Sequence, residues 1–188
     1  MSLKTGIAEE LWLMNEVGSL VGEHMDFARP YEAQRQPVAV EELLEGALEA
    51  ARRIASAELG PLKVQLQLSA ELPQPQWDSQ LMRQALLNLI LNGLQSMGAE
   101  GGTLTLCAVP QAELDRPCIR ITIEDSGPGI SPAARDQLFL PFFTTKASGT
   151  GLGLSVVKRI VEAHGGEIFV EPRSPRGAAF TMRLPCET

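Results

Sequence analysis

The sequence predicts an α/β fold: a two-layer α/β sandwich with helices on one face of a mixed sheet, preceded by a lone helix. Three observations carry that prediction. Stretches of strict two-residue alternation interleave with stretches of helical spacing between residues 38 and 185. Breakers punctuate them at Arg29-Pro30, Gly60-Pro61 and Gly165-Gly166. A hydrophobic fraction of 44% over 188 residues is enough for one core plus a small appendage.

The first expected element is a helix over 7–28. Leu11, Met14, Gly18, Val21 and Met25 form one stripe, and Leu13, Val17, Leu20, His24 and Phe27 an adjacent one. Together they are too wide for a lone surface helix and suit a helical bundle. Pro30 ends it, because the residue before a proline is pushed out of the helical region. Residues 31–37 read as a linker, dividing the chain into 1–30, 31–37 and 38–188. In the last unit a helix over 41–58 stops at Gly60-Pro61, and 63–69 alternates as a strand through Val64, Leu66 and Leu68. Asp78 is placed to cap a helix running to about Met97. Residues 103–109 and 118–124 alternate as two strands joined by a polar loop. Ser131-Pro132 opens a short helix with proline at its first position. A further helix over 151–163 is closed by His164-Gly165-Gly166, and 167–171 with 178–184 makes a final hairpin. No repeat or low-complexity tract is visible.

Bulk properties narrow the function classes. The net charge of −7 and the lack of a Lys/Arg stripe argue against a nucleic-acid binder. No run of about 18 apolar residues predicts a membrane span, and Met1-Ser2-Leu3-Lys4 lacks the apolar core of a secretory leader. Cys107, Cys118 and Cys186 are odd in number and include no CxxC pair, as in a reduced cytoplasmic protein with incidental thiols.

Three motifs carry chemistry. In Leu86-Leu87-Asn88-Leu89-Ile90-Leu91-Asn92-Gly93, the two asparagines share one helix face amid apolar neighbours. Buried amides must be satisfied, so they either bond to local backbone or face a wet pocket. Gly93 costs about 1 kcal/mol inside a helix and implies a close approach. Asp125-Ser126-Gly127-Pro128-Gly129-Ile130 follows a strand; alone it reads equally as a turn, but Asp125 can accept a hydrogen bond from an adenine amine. Gly149-Thr150-Gly151-Leu152-Gly153-Leu154 leads into a helix, where free N–H groups and the helix dipole favour phosphate. It is neither a Walker motif nor a dinucleotide fingerprint, and alone it could be a flexible loop. Between the last two lies Phe139-Leu140-Pro141-Phe142-Phe143-Thr144-Thr145-Lys146. Its phenylalanines suit the core, and its polar end suits a lid, with Lys146 the best candidate for a phosphate contact. An acidic chain holding a nucleotide needs such local help from Mg²⁺, backbone N–H groups and lysine. In this order the motifs read as one ATP pocket.

Together they resemble the catalytic, ATP-binding domain of bacterial sensor histidine kinases. Residues 88–92 match the N box, 125–129 the G1 box, 139–143 the F box and 149–153 the G2 box, and the style of Gln95-Ser96-Met97 is nearest the nitrogen-regulation type. Met25-Asp26-Phe27-Ala28-Arg29-Pro30 resembles the end of the second helix of the dimerisation hairpin. The resemblance implies the Bergerat fold and Mg-ATP as substrate. It implies that Asn88 and Asn92 address Mg²⁺ and phosphates, and that Asp125 reads the adenine amine. Gly127, Gly129 and Ile130 would line the base pocket; Phe142, Thr145, Lys146, Gly149, Thr150, Gly151, Leu152, Gly153 and Leu154 would supply the lid and phosphate contacts. It also implies a response-regulator receiver domain as partner, a homodimer for the full-length protein, and a membrane anchor, where one exists, outside this fragment.

The chain departs from the family in three places. The acceptor histidine motif is absent and is expected upstream; His24 reads as packing and His164 as structural. Ala178 stands where the wider fold family often has a threonine, and Gly93 where alanine is usual. Related ATPases of this fold place a general-base glutamate where Asn88 sits, and an amide cannot do that work. Asn88 therefore favours phosphoryl transfer over hydrolysis. The competing readings are a nucleotide-binding or dimerising module without kinase activity, a hydrolytic ATPase, and a serine kinase.

Overall fold

The computed structural model describes residues 31–55, 60–113, 116–146 and 149–186. The helix expected over 7–28, with His24, lies outside the described residues. The unit Ala33–Thr188 is compact, and its described parts build two layers. Five strands stand in the order β2 (Leu62–Leu68), β4 (Gly102–Glu113), β5 (Arg116–Asp125), β7 (Ala178–Pro185), β6 (Glu167–Pro172). The β2–β4 pair is parallel and the other three are antiparallel, so the sheet is mixed.

Alternation decides which face is covered. Leu104, Leu106 and Ala108 of β4, Ile119, Ile121 and Ile123 of β5, and Phe180, Met182 and Leu184 of β7 are buried. Against the sheet lie α2 (Ser79–Met97), with α1 (Val40–Ala55) and α4 (Gly153–Ala163) packed on either side of it. Helix α1 buries Val40, Leu43, Leu44, Ala47, Leu48 and Ala51, a 3-4 stripe, and places Glu41 and Glu42 at its positive end. Helix α2 is buried more widely, through Met82, Ala85, Leu86, Leu89, Ile90, Gly93, Leu94 and Met97. A short helix α3 (Pro132–Arg135) is capped by Ser131, as the Ser-Pro pair predicts.

Three expectations are corrected. The polar loop between 109 and 118 is strand: β4 and β5 pair out to Glu113 and Arg116. Proline is tolerated in both because the hairpin outruns its neighbours there. The β2 ladder ends at Ala108 and the β7 ladder at Cys118, so Pro110 and Pro117 deprive no neighbouring strand of a donor. The linker over 31–37 is tied to the domain. Its Gln36–Pro37 (β1) pairs with Gln76–Trp77 (β3), and the Gln34 N–H donates to Asp78 Oδ2 at 2.8 Å. Finally, α4 starts at Gly153, two residues late, because Gly151 has φ 71 and cannot be a helical residue. For the helix ending α1, Ala55 is the last described residue before 60.

Candidate functional site

Asp125 is the last residue of β5, and the inward series Ile119, Ile121, Ile123 carries it onto the helix-covered face, 3% exposed. Its Oδ1 accepts the Gly127 N–H at 2.8 Å. Burial pushes the carboxyl up; the N–H of Gly127, the Ser96 hydroxyl, the N–H of Ala178 and the charge of Arg173 pull against that without cancelling it. The carboxyl is thus buried and raised above its ordinary value, and a carboxylate with three donors still has a lone pair to offer a fourth.

Gly93 explains how a strand carboxylate comes so close to a helix. A Cβ there would lie 2.9 Å from Leu104 Cδ1 and 3.5 Å from Asp125 Cβ. The close approach the sequence implied is therefore β4 and β5 against α2. The family's usual alanine asks only that a flexible leucine tip give way. Gly127 is closed in similarly, since a side chain would strike Ser96 Oγ and Asp125 Oδ1. Gly129, at φ 83, abuts the Gly177 carbonyl, and Ile130 beside it is half-buried.

The other end of the same helix face is different. Asn88 and Asn92 are half-buried, and Asn88 Oδ1 stands 3.8 Å from where a Gly153 Cβ would be, at the start of α4. Lys146 Nζ donates to Asn92 Oδ1 and to Gln95 Oε1, both at 2.8 Å. Burial lowers the Lys146 pKa and the nearby Asp125 raises it, so the two ends of the site lie within one another's field. From Asn88 to Ser96 the helix rises about 12 Å; Gly153 lies at the Asn88 end and Gly127 at the Ser96 end, with Asp125 against Gly93 and Lys146 reaching the Asn92 and Gln95 side chains between them.

The segment around Lys146 is exposed. Thr145, Gly149 and Thr150 face solvent, the Lys146 N–H donates to Thr144 Oγ1 at 3.1 Å, and the Gly149 N–H to the Lys146 carbonyl at 3.3 Å. The expectation that phenylalanines fill the core here is wrong. Phe139 and Phe143 are half-buried, while Phe142 is 59% exposed at φ 65, its backbone set against Gly151. A side chain on Gly151 would collide with Phe142, which links the Phe139–Lys146 segment to the glycine loop that follows it. Leu152 is buried and Leu154 half-buried, so Leu152 can offer a ligand only backbone.

Sequence reasoning missed Gln95 and Ser96 as site residues, although both lie one turn beyond Asn92, where helical spacing could have placed them. It also missed the β6–β7 turn. Arg173 pairs with Glu124 at 2.9 Å and Arg176 Nε donates to the Ser126 carbonyl at 2.9 Å, with no local signal to announce either. Among the described residues no group of three or more His, Cys, Asp or Glu could hold a metal.

A family model described as "Histidine kinase-, DNA gyrase B-, and HSP90-like ATPase" matches residues 77–188. Among curated proteins, the sensor histidine kinase ZraS of Escherichia coli (strain K12) is 36% identical over 181 residues, covering 95% of this chain and 36% of its own length. The signal transduction histidine-protein kinase AtoS of the same strain is 33% identical over 172 residues, 92% of this chain and 27% of its length. The chain thus spans about a third of the length of these relatives. Among solved structures, full-length ShkA in complex with AMPPNP superposes with TM-score 0.78 and 29% identity, covering 98% of this chain and 39% of that one. The mycobacterial sensor histidine kinase MprB does so with TM-score 0.68 and 30% identity, covering 81% of this chain and 98% of that one.

Proposed function

The chain belongs to the histidine kinase-, DNA gyrase B- and HSP90-like ATPase family, and from that premise we propose that it is the ATP-binding catalytic domain of a sensor histidine kinase. It transfers the γ-phosphate of ATP to a histidine outside this chain, for relay to a response-regulator receiver domain, in a protein that works as a homodimer in the cytoplasm. The observation that carries this reading is the pairing, on one face of α2, of a buried acceptor at one end with a cation and two amides at the other.

Asp125 accepts the adenine amine. The base enters beside the Gly127 and Gly129 loop, whose glycines let the backbone pack tightly on Ser96, Asp125 and Gly177. The phosphates lie toward Asn88 and Asn92, with the Lys146 charge held beside them by Asn92 and Gln95 and the Gly149, Gly151 and Gly153 backbone leading into α4. Mg²⁺ fits this donor set. The Lys146 ammonium already draws Asn92 Oδ1 and Gln95 Oε1 together at 2.8 Å, so these oxygens converge on a cation. Neutral amides alone bind Mg²⁺ weakly, and most ligands would be phosphate oxygens and water. Bound there, Mg²⁺ would supply neutralisation of phosphate charge. Asn88 and Asn92 would hold it, and Lys146 would steady the transferring phosphate.

The chain's contribution to rate is then positioning and charge neutralisation. Asn88, where related ATPases carry a base for activating water, is an amide, Asp125 is committed to the adenine end, and His164 is buried with both ring nitrogens occupied, by the Asp78 N–H and the Ile160 carbonyl. That favours transfer to a placed acceptor over hydrolysis. The test is the fate of γ-labelled phosphate after incubation with Mg-ATP. The proposal expects ATP to bind and stay intact on this chain, and label to appear in acid-labile linkage on a longer form carrying the acceptor histidine. Steady release of phosphate, or no binding, would overturn it.

A further inference from the structure

The β6–β7 turn lies directly against the loop that follows Asp125. A side chain on Gly177, at φ 115, would collide with the Asp125 carbonyl oxygen and sit 3.1 Å from Ser126 Cα. The turn is pinned on both sides. Arg173 Nε pairs with Glu124 Oε2 at 2.9 Å, and the Arg173 N–H donates to the Gly177 carbonyl at 3.0 Å. Arg176 Nε donates to the Ser126 carbonyl at 2.9 Å, and its Nη2 reaches Glu100 Oε2 only at 3.5 Å.

Ser126 is itself anchored to β4, where its N–H donates to the Thr103 carbonyl and its Oγ accepts the Thr103 N–H. One freedom remains, the tilt of the peptide plane between Ser126 and Gly127. In a trans peptide the carbonyl and N–H point to opposite sides, and the only cis bond among the described residues is Ser174–Pro175. Arg176 takes the oxygen of this plane on one side, and Asp125 Oδ1 takes its N–H at 2.8 Å on the other. The guanidinium therefore fixes the plane, and the plane fixes the carboxylate.

Resting on the adenine reading above, we infer that Arg176 is a positioning residue for base recognition, acting on Asp125 through the Ser126–Gly127 peptide unit. Charge-assisted hydrogen bonds to a carbonyl are directional, and Arg176 lies on the turn, away from the phosphate end. Its loss should therefore weaken recognition of the amine and spare the phosphates.

The test compares ATP with inosine triphosphate, which carries the same phosphates and lacks the amine. Affinities for both are measured for the chain, Arg176→Ala, Arg176→Lys and Asp125→Ala, with thermal melts of each. Arg176→Ala should lose about five-fold in ATP affinity and leave inosine triphosphate within about two-fold. Arg176→Lys, which keeps a charged donor, should recover most of the loss. Equal losses for both nucleotides, or no loss for ATP, overturn the inference. If Asp125→Ala itself leaves the ATP preference intact, the adenine reading has failed. If Asp125→Ala abolishes the preference and Arg176→Ala does not alter it, this inference alone has failed.

Discussion

Among the described residues two aspartates are buried, Asp78 at 8% exposure and Asp125 at 3%, and burial prevails at one and is overcome at the other. At Asp78, Oδ1 accepts the N–H groups of Gln80 and Leu81 at 3.0 Å and Oδ2 that of Gln34 at 2.8 Å. Burial would push that carboxyl up, but the Leu81, Gln34 and Gln80 donors together hold it below its ordinary value. Its N–H in turn donates to His164 Nε2 at 2.9 Å, joining the start of α2 to the end of α4. At Asp125, burial wins and the carboxyl is pushed up. Each carboxyl has three donors, but Asp78 spends its own on capping α2 and tying down Gln34, whereas Asp125 stands at the end of a strand beside a glycine loop, where burial prevails over its donors.

The comparison breaks most visibly if Asp78 is dispensable. Asp78→Ala removes the cap on the Gln80 and Leu81 N–H groups and strands the Gln34 N–H, but keeps the backbone bond to His164. It should cost about 2–4 kcal/mol in denaturant unfolding, while the folded fraction keeps its ATP affinity. Asp125→Ala should do the reverse. We expect about 1.5–3 kcal/mol less ATP binding and a smaller change in stability than at Asp78, because relief of the burial cost that raises this carboxyl offsets the loss of its bonds to Gly127, Ser96 and Ala178. If both variants lose the same property, the two aspartates are not different in kind.

Asn92→Ala sharpens the phosphate end, with a smaller expected effect: ATP affinity should become less sensitive to Mg²⁺ in titrations across metal concentrations. Equal sensitivity in the variant would remove its metal role. The pH dependence is the mildest test. Burial holds His164 below its ordinary value, against the Ile160 carbonyl and Asp78, which raise it; Arg35 lowers it further. Below about pH 6.5 the unfolded chain takes up a proton that the folded chain resists. Stability from this group is therefore complete above that pH and lost as pH falls through it. Melting temperature should drop on acidification, and His164→Gln should flatten that drop; a parallel curve would exclude His164 as its source. Asp125 carries the opposite sign. With its carboxyl raised, the folded state takes up the proton first, so acidification relieves a burial cost while removing the adenine acceptor.

Most of this was legible in the chain because both halves rest on local patterns. Asp78 reads as a cap from its place before a helical period, and Asp125 follows three alternating isoleucines that fix the face it points to. What stayed hidden depends on distance in sequence. Nothing near Asp78 announces that Gln34, 44 residues away, fills its second oxygen. Nothing near Arg176 points to Ser126. The extension of the β4–β5 hairpin was concealed by two prolines whose harmlessness depends on where neighbouring strands stop. The exposure of Phe142 stayed hidden because an aromatic in an apolar run reads as readily as core as it does as lid, and its left-handed backbone is set against Gly151.

The most direct test of the central claim is a crystal structure of this chain with AMPPNP and Mg²⁺. The account predicts the adenine amine within about 3 Å of an Asp125 carboxylate oxygen, and the phosphates at the Asn88, Asn92 and Lys146 end of α2. A nucleotide seated in the reverse direction, or bound with Asp125 left untouched, would contradict it.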